Sequence, residues 1–446
     1  MKESATYNLG TVKRETGLNG DTLRAWERRY GLPMPERSAG GQRLYSQHDI
    51  EVIKWLISKQ TEGLSISRAV SLWNDLTENG TDPLLRERPT HLSQNSSVQL
   101  SEENMEDIRN QWISACLAFD EKTAEQVIHR AFAISPLESV CQNIILGGLR
   151  EIGKKWYAGT ATIQQEHFAS ALAHRRIHAL IAASPPPSRT ETILIGCPPK
   201  EEHTIPALLI TLFLRRRGFN VVYLGANVPD IQFKETVESI QPQLVILSAQ
   251  LLITAATLSE TVQLFANRKV PIAYSGNIFQ NTPALKERIN AHYLGDTFED
   301  ALKMINKILK REIGQSFETQ PNPFTRLSES FTVSRPAIHA SLSKKLTTWD
   351  IPLKPMLEAN DYLSDNIAAA LTLGDLDFIS PELRWVNTLL KNRKIKTALL
   401  INYLQTFIET ITETIGEGSA PLTGWFIENI KNTGNIQPYN MEGTKK

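Results

Sequence analysis

Apolar and polar positions change rhythm several times along the chain, and each change marks a segment. Residues 5–76 show helical spacing broken by tight turns. Residues 77–104 turn polar, with "TENGTDP" and "HLSQNSS", and read as a linker. From 105 to 185 the spacing is helical with few breakers, which predicts about four helices ending at "SPPPS". Residues 190–313 alternate short apolar runs with longer amphipathic ones. "TILIG", "NVVYLG", "QLVILS", "VPIAYSG" and "AHYLGD" are five strand candidates, and helices between them predict a parallel sheet covered on both faces. Residues 314–336 read as a second linker, and 337–446 as a helical domain, clearest in "KTALLINYLQTFIETITETI" (396–415). The fold class is therefore multidomain, α and α/β: an N-terminal helical segment with tight turns, a four-helix layer, a five-stranded parallel sheet and an all-α extension.

Composition narrows the function classes. The chain has 446 residues, enough for about three domains. Lys+Arg and Asp+Glu both number 48, so any nucleic-acid site must be local. Cys116, Cys141 and Cys197 are widely spaced and form neither a metal pattern nor a disulfide framework. The first residues do not read as a signal peptide, and no apolar run approaches the roughly 20 residues of a membrane span. The expectation is a cytoplasmic protein without membrane contact.

A candidate for such a local nucleic-acid site is "NLGTVKRETGLNGDTLRAWERRYGL" (8–32). A short helix stops at Gly17, and Asn19 or Asp21 can cap the next. In that helix Leu23, Trp26 and Tyr30 share an apolar face, leaving Thr22, Arg24, Arg28 and Arg29 to project elsewhere. This is helix-turn-helix geometry, in which arginines reach base edges and phosphates. Gly40-Gly41 makes a hairpin turn beside Arg37, Arg43 and Tyr45 and reads as a wing. By composition alone, a solvated arginine-rich helix is an equal alternative.

Chemistry also concentrates at "PPKEEHTIP" (198–206), directly after the first strand candidate of the sheet. Ligands of open parallel sheets bind at the carboxyl ends of strands. A lone histidine cannot hold a bare ion, which needs three or four ligands, but it can serve a metal already held by a macrocycle. Glu201, two residues before His203, suits the part of tautomer-fixing partner. In "REIGKKWYAGTATIQQEH" (150–167) Trp156 ends one helix and Glu166-His167 lie near the start of the next. A core Trp beside a surface Glu-His pair is the alternative there.

Two resemblances bear on these motifs. "TLRAWERRYGLPMPERSAGGQRLYSQHDIEVIKWL" closely resembles the winged-helix DNA-binding domain of the MerR family. It implies a double-stranded DNA operator as partner. Thr22, Arg24, Arg28 and Arg29 fall on the recognition helix, Arg37, Arg43 and Tyr45 on the wing, and Tyr30 near phosphate. Members bind as dimers, usually through a long helix, but here the linker 77–104 follows, so self-association must arise elsewhere.

Residues 105–312 resemble the cobalamin-binding module of methionine synthase and of the CarH/LitR-type photoregulators, which implies a four-helix cap on a Rossmann-like domain, behind the N-terminal winged helix-turn-helix. "EEHTIP" carries the motif's Glu201 and His203, "LSAQLL" supplies Ser248, and "YSGN" supplies Ser275 and Gly276. The resemblance implies adenosylcobalamin as cofactor and His203 as its axial cobalt ligand. Trp156, Glu166 and His167 would shield the adenosyl group. It also implies a dark tetramer that represses and that light disperses. No segment resembles a methyltransferase barrel, so an enzyme is not expected. The chain departs from the motif at Pro206, where glycine is usual, at Gln250 for leucine, at Ser275 for the first glycine of a pair, and at Tyr157, where photoregulators carry a light-state histidine. These departures keep open a second reading, a MerR-like regulator whose sheet domain has lost cobalamin and acts through protein partners or another ligand.

Overall fold

The structure, a computed structural model, describes residues 7–37, 41–61, 64–78, 102–265, 270–314, 317, 320–347, 349 and 353–433. The chain divides into two compact units, 1–98 and 99–446.

In the first unit a three-stranded antiparallel sheet (β1, Tyr7–Asn8; β2, Glu36–Arg37; β3, Arg43–Tyr45, central) joins helices α1 (Leu9–Thr16), α2 (Gly20–Tyr30), α3 (Gln47–Thr61) and α4 (Ile66–Glu78). Asn19 caps α2 by accepting from the Asp21 and Thr22 N–H groups at 2.7 and 3.1 Å. Leu23 and Trp26 face inward to Val12, Ile53, Leu56 and Trp73, so the apolar stripe of α2 sets the opposite face outward. Gly40 of the expected turn and most of the expected linker, from 79 to 101, lie outside the described residues.

The second unit begins with a helical cap: α5 (Glu102–Leu117), α6 (Glu121–Ile134), α7 (Leu137–Ser139) running through a π-helical stretch Val140–Leu146 into α8 (Gly147–Tyr157), and α9 (Ile163–Ala182). Thr162 and Gln165 form a reciprocal capping box at the start of α9. Gly148 lets α8 lie against α5, since a Cβ there would stand 2.5 Å from the Trp112 ring. The cap core continues into Leu208, Leu209, Leu212 and Phe213 of α10 (Ile205–Arg216). Cys116 and Cys141 in the cap and Cys197 in the sheet domain are free and buried, and burial pushes each thiol up to about 12, so none is a ready nucleophile.

The five expected strands all form: β4 (Thr192–Gly196), β5 (Asn220–Tyr223), β6 (Leu244–Ser248), β7 (Ile272–Ser275) and β8 (His292–Tyr293). Their order is β5-β4-β6-β7-β8 and every pairing is parallel. Helices α11 (Asp230–Ile240), α12 (Leu252–Leu264), α13 (Asn277–Asn281) and α14 (Phe298–Leu309) complete this layer. The order reverses between β4 and β6, so a crevice opens at their carboxyl ends, beside residues 197–204 and 249–251.

The extension comprises α15 (Thr325–Leu346), α16 (Leu353–Leu373), α17 (Ser380–Asn392), α18 (Thr397–Ile415) and α19 (Ala420–Thr433). This corrects the second linker: half of 314–336 is helix, and the domain starts before residue 337. Leu327, Phe331, Ile338, Leu342 and Leu346 form the buried stripe of α15. Pro336 and the Ser/Thr-rich turns hide that stripe from a propensity reading, whereas burial against the neighbouring helices outweighs the cost of an interior proline. One hydrophobic core runs from Val245, Leu247, Ala255 and Leu258 into Phe331, Ile367 and Leu371, so α16 packs on α12. Among the described residues no helix is long and apolar enough to cross a membrane.

Candidate functional site

The outward face of α2 carries Arg24, Arg28 and Arg29, all exposed, and Arg37 is exposed on β2. Thr22 and Tyr30 are half-buried, and Tyr30 packs on the domain core. Arg24 pairs with Asp21 at 2.5 Å, while among the described residues no carboxylate pairs with Arg28, Arg29 or Arg37. Arg43 is engaged differently: its Nε donates to Glu27 Oε2 at 2.7 Å, tying the wing strand to α2. That bond raises the Arg43 guanidinium above its ordinary value. Tyr45 corrects an expectation. It is 1% exposed, because β3 is the central strand and residue 45 points into the core beside Val12 and Ile53, so its side chain offers no surface to a duplex. Its part is to hold the wing in place.

In the crevice, the loop after β4 folds back so that Glu201 is completely buried while the His203 side chain remains 60% exposed. Glu201 Oε1 accepts from the His203 main-chain N–H and from His203 Nδ1, both at 2.8 Å. Oε2 accepts from the Gln250 N–H and the Thr254 hydroxyl, both at 2.6 Å. Burial pushes the Glu201 carboxyl up, but bonds from His203, Thr254 and Gln250 outweigh it and hold the carboxyl below its ordinary value. A carboxylate only accepts, so Nδ1 carries the ring proton and Nε2 is left with its lone pair. The hydrogen bond to Glu201 raises the His203 ring above its ordinary value against the effect of burial, and Glu166 of the cap adds to it. The cap reaches this loop through a hydrogen bond. His174 of α9 donates from Nδ1 to the Ser170 carbonyl at 2.9 Å and accepts from the Thr204 hydroxyl through Nε2 at 2.8 Å.

Pro206 is compatible with the helix it enters. It occupies the first turn of α10, where an N–H has no intrahelical partner. Ser248 is buried and accepts from Gln250 Nε2 at 2.9 Å, and Gln250 Oε1 accepts from the Asn277 N–H at 3.0 Å. The Gln250 side chain thus bridges the carboxyl ends of β6 and β7. Among the described residues the buried Ser275 Oγ has no hydrogen-bond partner, although it replaces an expected glycine. Gly276 is obligatory: its φ is +145° and a Cβ there would lie 1.6 Å from the Ala249 carbonyl oxygen.

On the cap, Glu166 holds His167 Nδ1 at 2.8 Å and accepts from the Ser170 hydroxyl at 2.9 Å. His167 is largely exposed and Trp156 half-buried. Tyr157 is buried, and its hydroxyl donates to the Trp385 carbonyl at 2.9 Å. Thr254 and the Gln250 main chain escaped the sequence reading, since nothing local in "AQLLIT" points to a carboxylate 53 residues earlier.

As a donor set, one oriented imidazole with a free Nε2 fits a single axial bond to a metal held by a macrocycle. Among the described residues no three His, Cys, Asp or Glu converge as ligands for a bare ion. The Ser275 hydroxyl, buried without a hydrogen-bond partner among the described residues, lies at the end of β7, next to β6 on the same sheet edge.

Comparison with known proteins agrees with this division. The MerR HTH family regulatory protein model matches residues 7–74, and two B12 binding domain models match 108–181 and 191–305. The HTH-type transcriptional repressor CarH of Myxococcus xanthus is 29% identical over 290 residues, 64% of this chain and 94% of that protein. The repressor CarA of the same organism is 31% identical over 54% of this chain and 76% of that protein. A trimethylamine corrinoid protein of Methanosarcina barkeri is 30% identical over 33% of this chain and 70% of that protein. The solved monomethylamine corrinoid protein of Methanosarcina barkeri covers 46% of this chain and 99% of its own, with a TM-score of 0.39 at 16% identity. The chain belongs to the family of MerR-type DNA-binding transcriptional regulators that carry B12-binding domains.

Proposed function

We propose that the chain is a cytoplasmic transcriptional repressor whose self-association and operator affinity are set by adenosylcobalamin, and through it by light. His203 Nε2 would hold the cobalt, with Glu201 fixing the tautomer of the ring. Ser248, Ser275 and Gly276 border the cofactor at the strand ends, and Trp156, Glu166 and His167 cover it from the cap. Bound there, adenosylcobalamin supplies a light-labile cobalt–carbon bond. The observation that carries this reading is the Glu201–His203 pair: a fully buried carboxylate with four donors, aiming one exposed imidazole with Nε2 free. The repressor assignment draws on the similarity to the repressors CarH and CarA. A ligand shifts assembly only through different affinities for the two states, and linked DNA-binding heads raise effective concentration at tandem sites.

The test mixes purified protein with adenosylcobalamin in darkness, passes it over a sizing column and illuminates it. Colour is expected to co-elute, and spectrum and size are expected to change on illumination. A colourless protein overturns the cobalamin reading. It would favour the second one, in which the sheet domain works through protein partners; the Gln250 bridge between Ser248 and Asn277, which already ties the two strand ends together, supports that alternative.

For the DNA-binding face, Thr22, Arg24, Arg28, Arg29, Tyr30 and Arg37 contact the operator, while Arg43 and Tyr45 brace the wing. Arg28→Ala and Arg29→Ala should each weaken operator binding about tenfold and flatten its salt dependence by about one counterion, with oligomeric size unchanged. Gel shifts at several salt concentrations check this, and unchanged affinity in both variants removes the docking assignment.

A further inference from the structure

The C-terminal helices touch both sides of the crevice. On the cap side, the Trp385 ring of α17 stacks on Tyr157 (centroids 5.6 Å apart, planes 19° apart) and lies 6.3 Å from the Trp156 ring. The Tyr157 hydroxyl donates to the Trp385 carbonyl, Asn392 Nδ2 donates to the Tyr157 carbonyl at 3.0 Å, and the Arg393 guanidinium lies 5.7 Å from the Trp156 ring centroid. On the sheet side, Asp365 of α16 accepts from Lys200 Nζ at 3.1 Å, next in sequence to Glu201, and is itself held by Arg335 at 2.7 Å. The shared core of α12 and α16 anchors these helices to the sheet. Behind Trp385, Tyr362 lies 6.0 Å from its ring and donates to Glu382, so the indole is backed by its own domain.

The cap is also attached along α10 and at its ends, through a shared core, the His174–Thr204 bond and the Arg217–Glu138 pair at 3.1 Å. It is therefore tied to the sheet domain both through α10 and, at the Trp156–Tyr157 end of α8, through the extension. We propose that the C-terminal helical domain is an internal clamp on this crevice, with Trp385 as a positioning residue that sets where Trp156 and Tyr157 stand relative to the His203 loop. A ligand passing between cap and loop does so with the clamp released. This rests on the cobalamin reading for its ligand, but the clamp itself belongs to the protein alone.

Two measurements on the full chain separate the two ideas. Without ligand, amide hydrogen exchange across 150–167 should quicken about fivefold or more in Trp385→Ala and in Asn392→Ala, and Trp385→Phe, which keeps a ring, should restore most of the protection. With adenosylcobalamin in darkness, association and dissociation should both quicken by a similar factor in the two alanine variants. If Trp385→Ala loosens α16 and α17 as well, Asn392→Ala decides. Exchange at wild-type rates across 150–167 in Asn392→Ala overturns the clamp. A wild-type protein that binds no adenosylcobalamin but shows the exchange changes removes the cofactor reading and leaves the clamp standing.

Discussion

Gly276→Ala should cost the second unit more than about 4 kcal/mol, the range reserved for backbone conflicts that nothing can relieve. An added Cβ meets the main chain of Ala249: its carbonyl oxygen at 1.6 Å, its carbonyl carbon at 2.7 Å and its nitrogen at 3.2 Å. The Ala249 strand end cannot retreat, because its N–H donates to the Ser275 carbonyl at 3.0 Å and β6 and β7 are paired along their length. The φ of +145° adds strain for any L side chain. A urea or thermal midpoint measures the loss. Ser275→Ala next to it is the control: its hydroxyl is buried without a hydrogen-bond partner among the described residues, so removing it should leave the midpoint unchanged or raise it slightly. A Gly276→Ala midpoint equal to wild type would show that this approach of the two strand ends is wrong.

The second large effect belongs to His203. His203→Ala should lower cobalamin affinity by about a hundredfold or more and remove the absorption features of histidine-ligated cobalt. The apo fold should survive, since the side chain is 60% exposed. Glu201→Gln should behave differently. Its two oxygens each accept from two donors, and an amide can only accept on one side, so donor meets donor on the other. That variant should lose stability by about 3 kcal/mol as well as affinity. Spectra taken during titration, paired with melting curves, distinguish the two. A His203→Ala spectrum matching wild type ends the axial assignment.

Much of this molecule was readable before any coordinates. The five apolar runs between 192 and 296 became the five strands, because a parallel strand covered on both faces must be apolar throughout, a demand written into consecutive residues. The helix of Arg28 and Arg29 was readable for a similar reason: cap, stripe and stop lie within about a dozen residues. His203 and Glu201 were legible as a pair since they stand two apart in one turn.

Other features depended on which surfaces meet. Tyr45 looked like a wing contact by position, yet the central place of β3 in its sheet turns it inward. Pro206 looked like a broken motif, but where α10 begins makes it a first-turn proline. The segment 314–336 looked like a linker because Pro336 and its serines say so locally, whereas Leu327 and Phe331 find a core only when α15 is packed. Thr254 reaches Glu201 from 53 positions away, and Trp385 reaches Tyr157 from 228.

The sequence alone determined what each short segment becomes and which residue types carry chemistry, since backbone propensity, capping and apolar period act over a few residues. Only the tertiary structure decided which of those residues are buried, which distant donors hold the Glu201 carboxylate, and that the last helices pack on the cap. Those outcomes rest on desolvation and on hydrogen bonds between distant segments, and their free energy exists only once the segments are packed together.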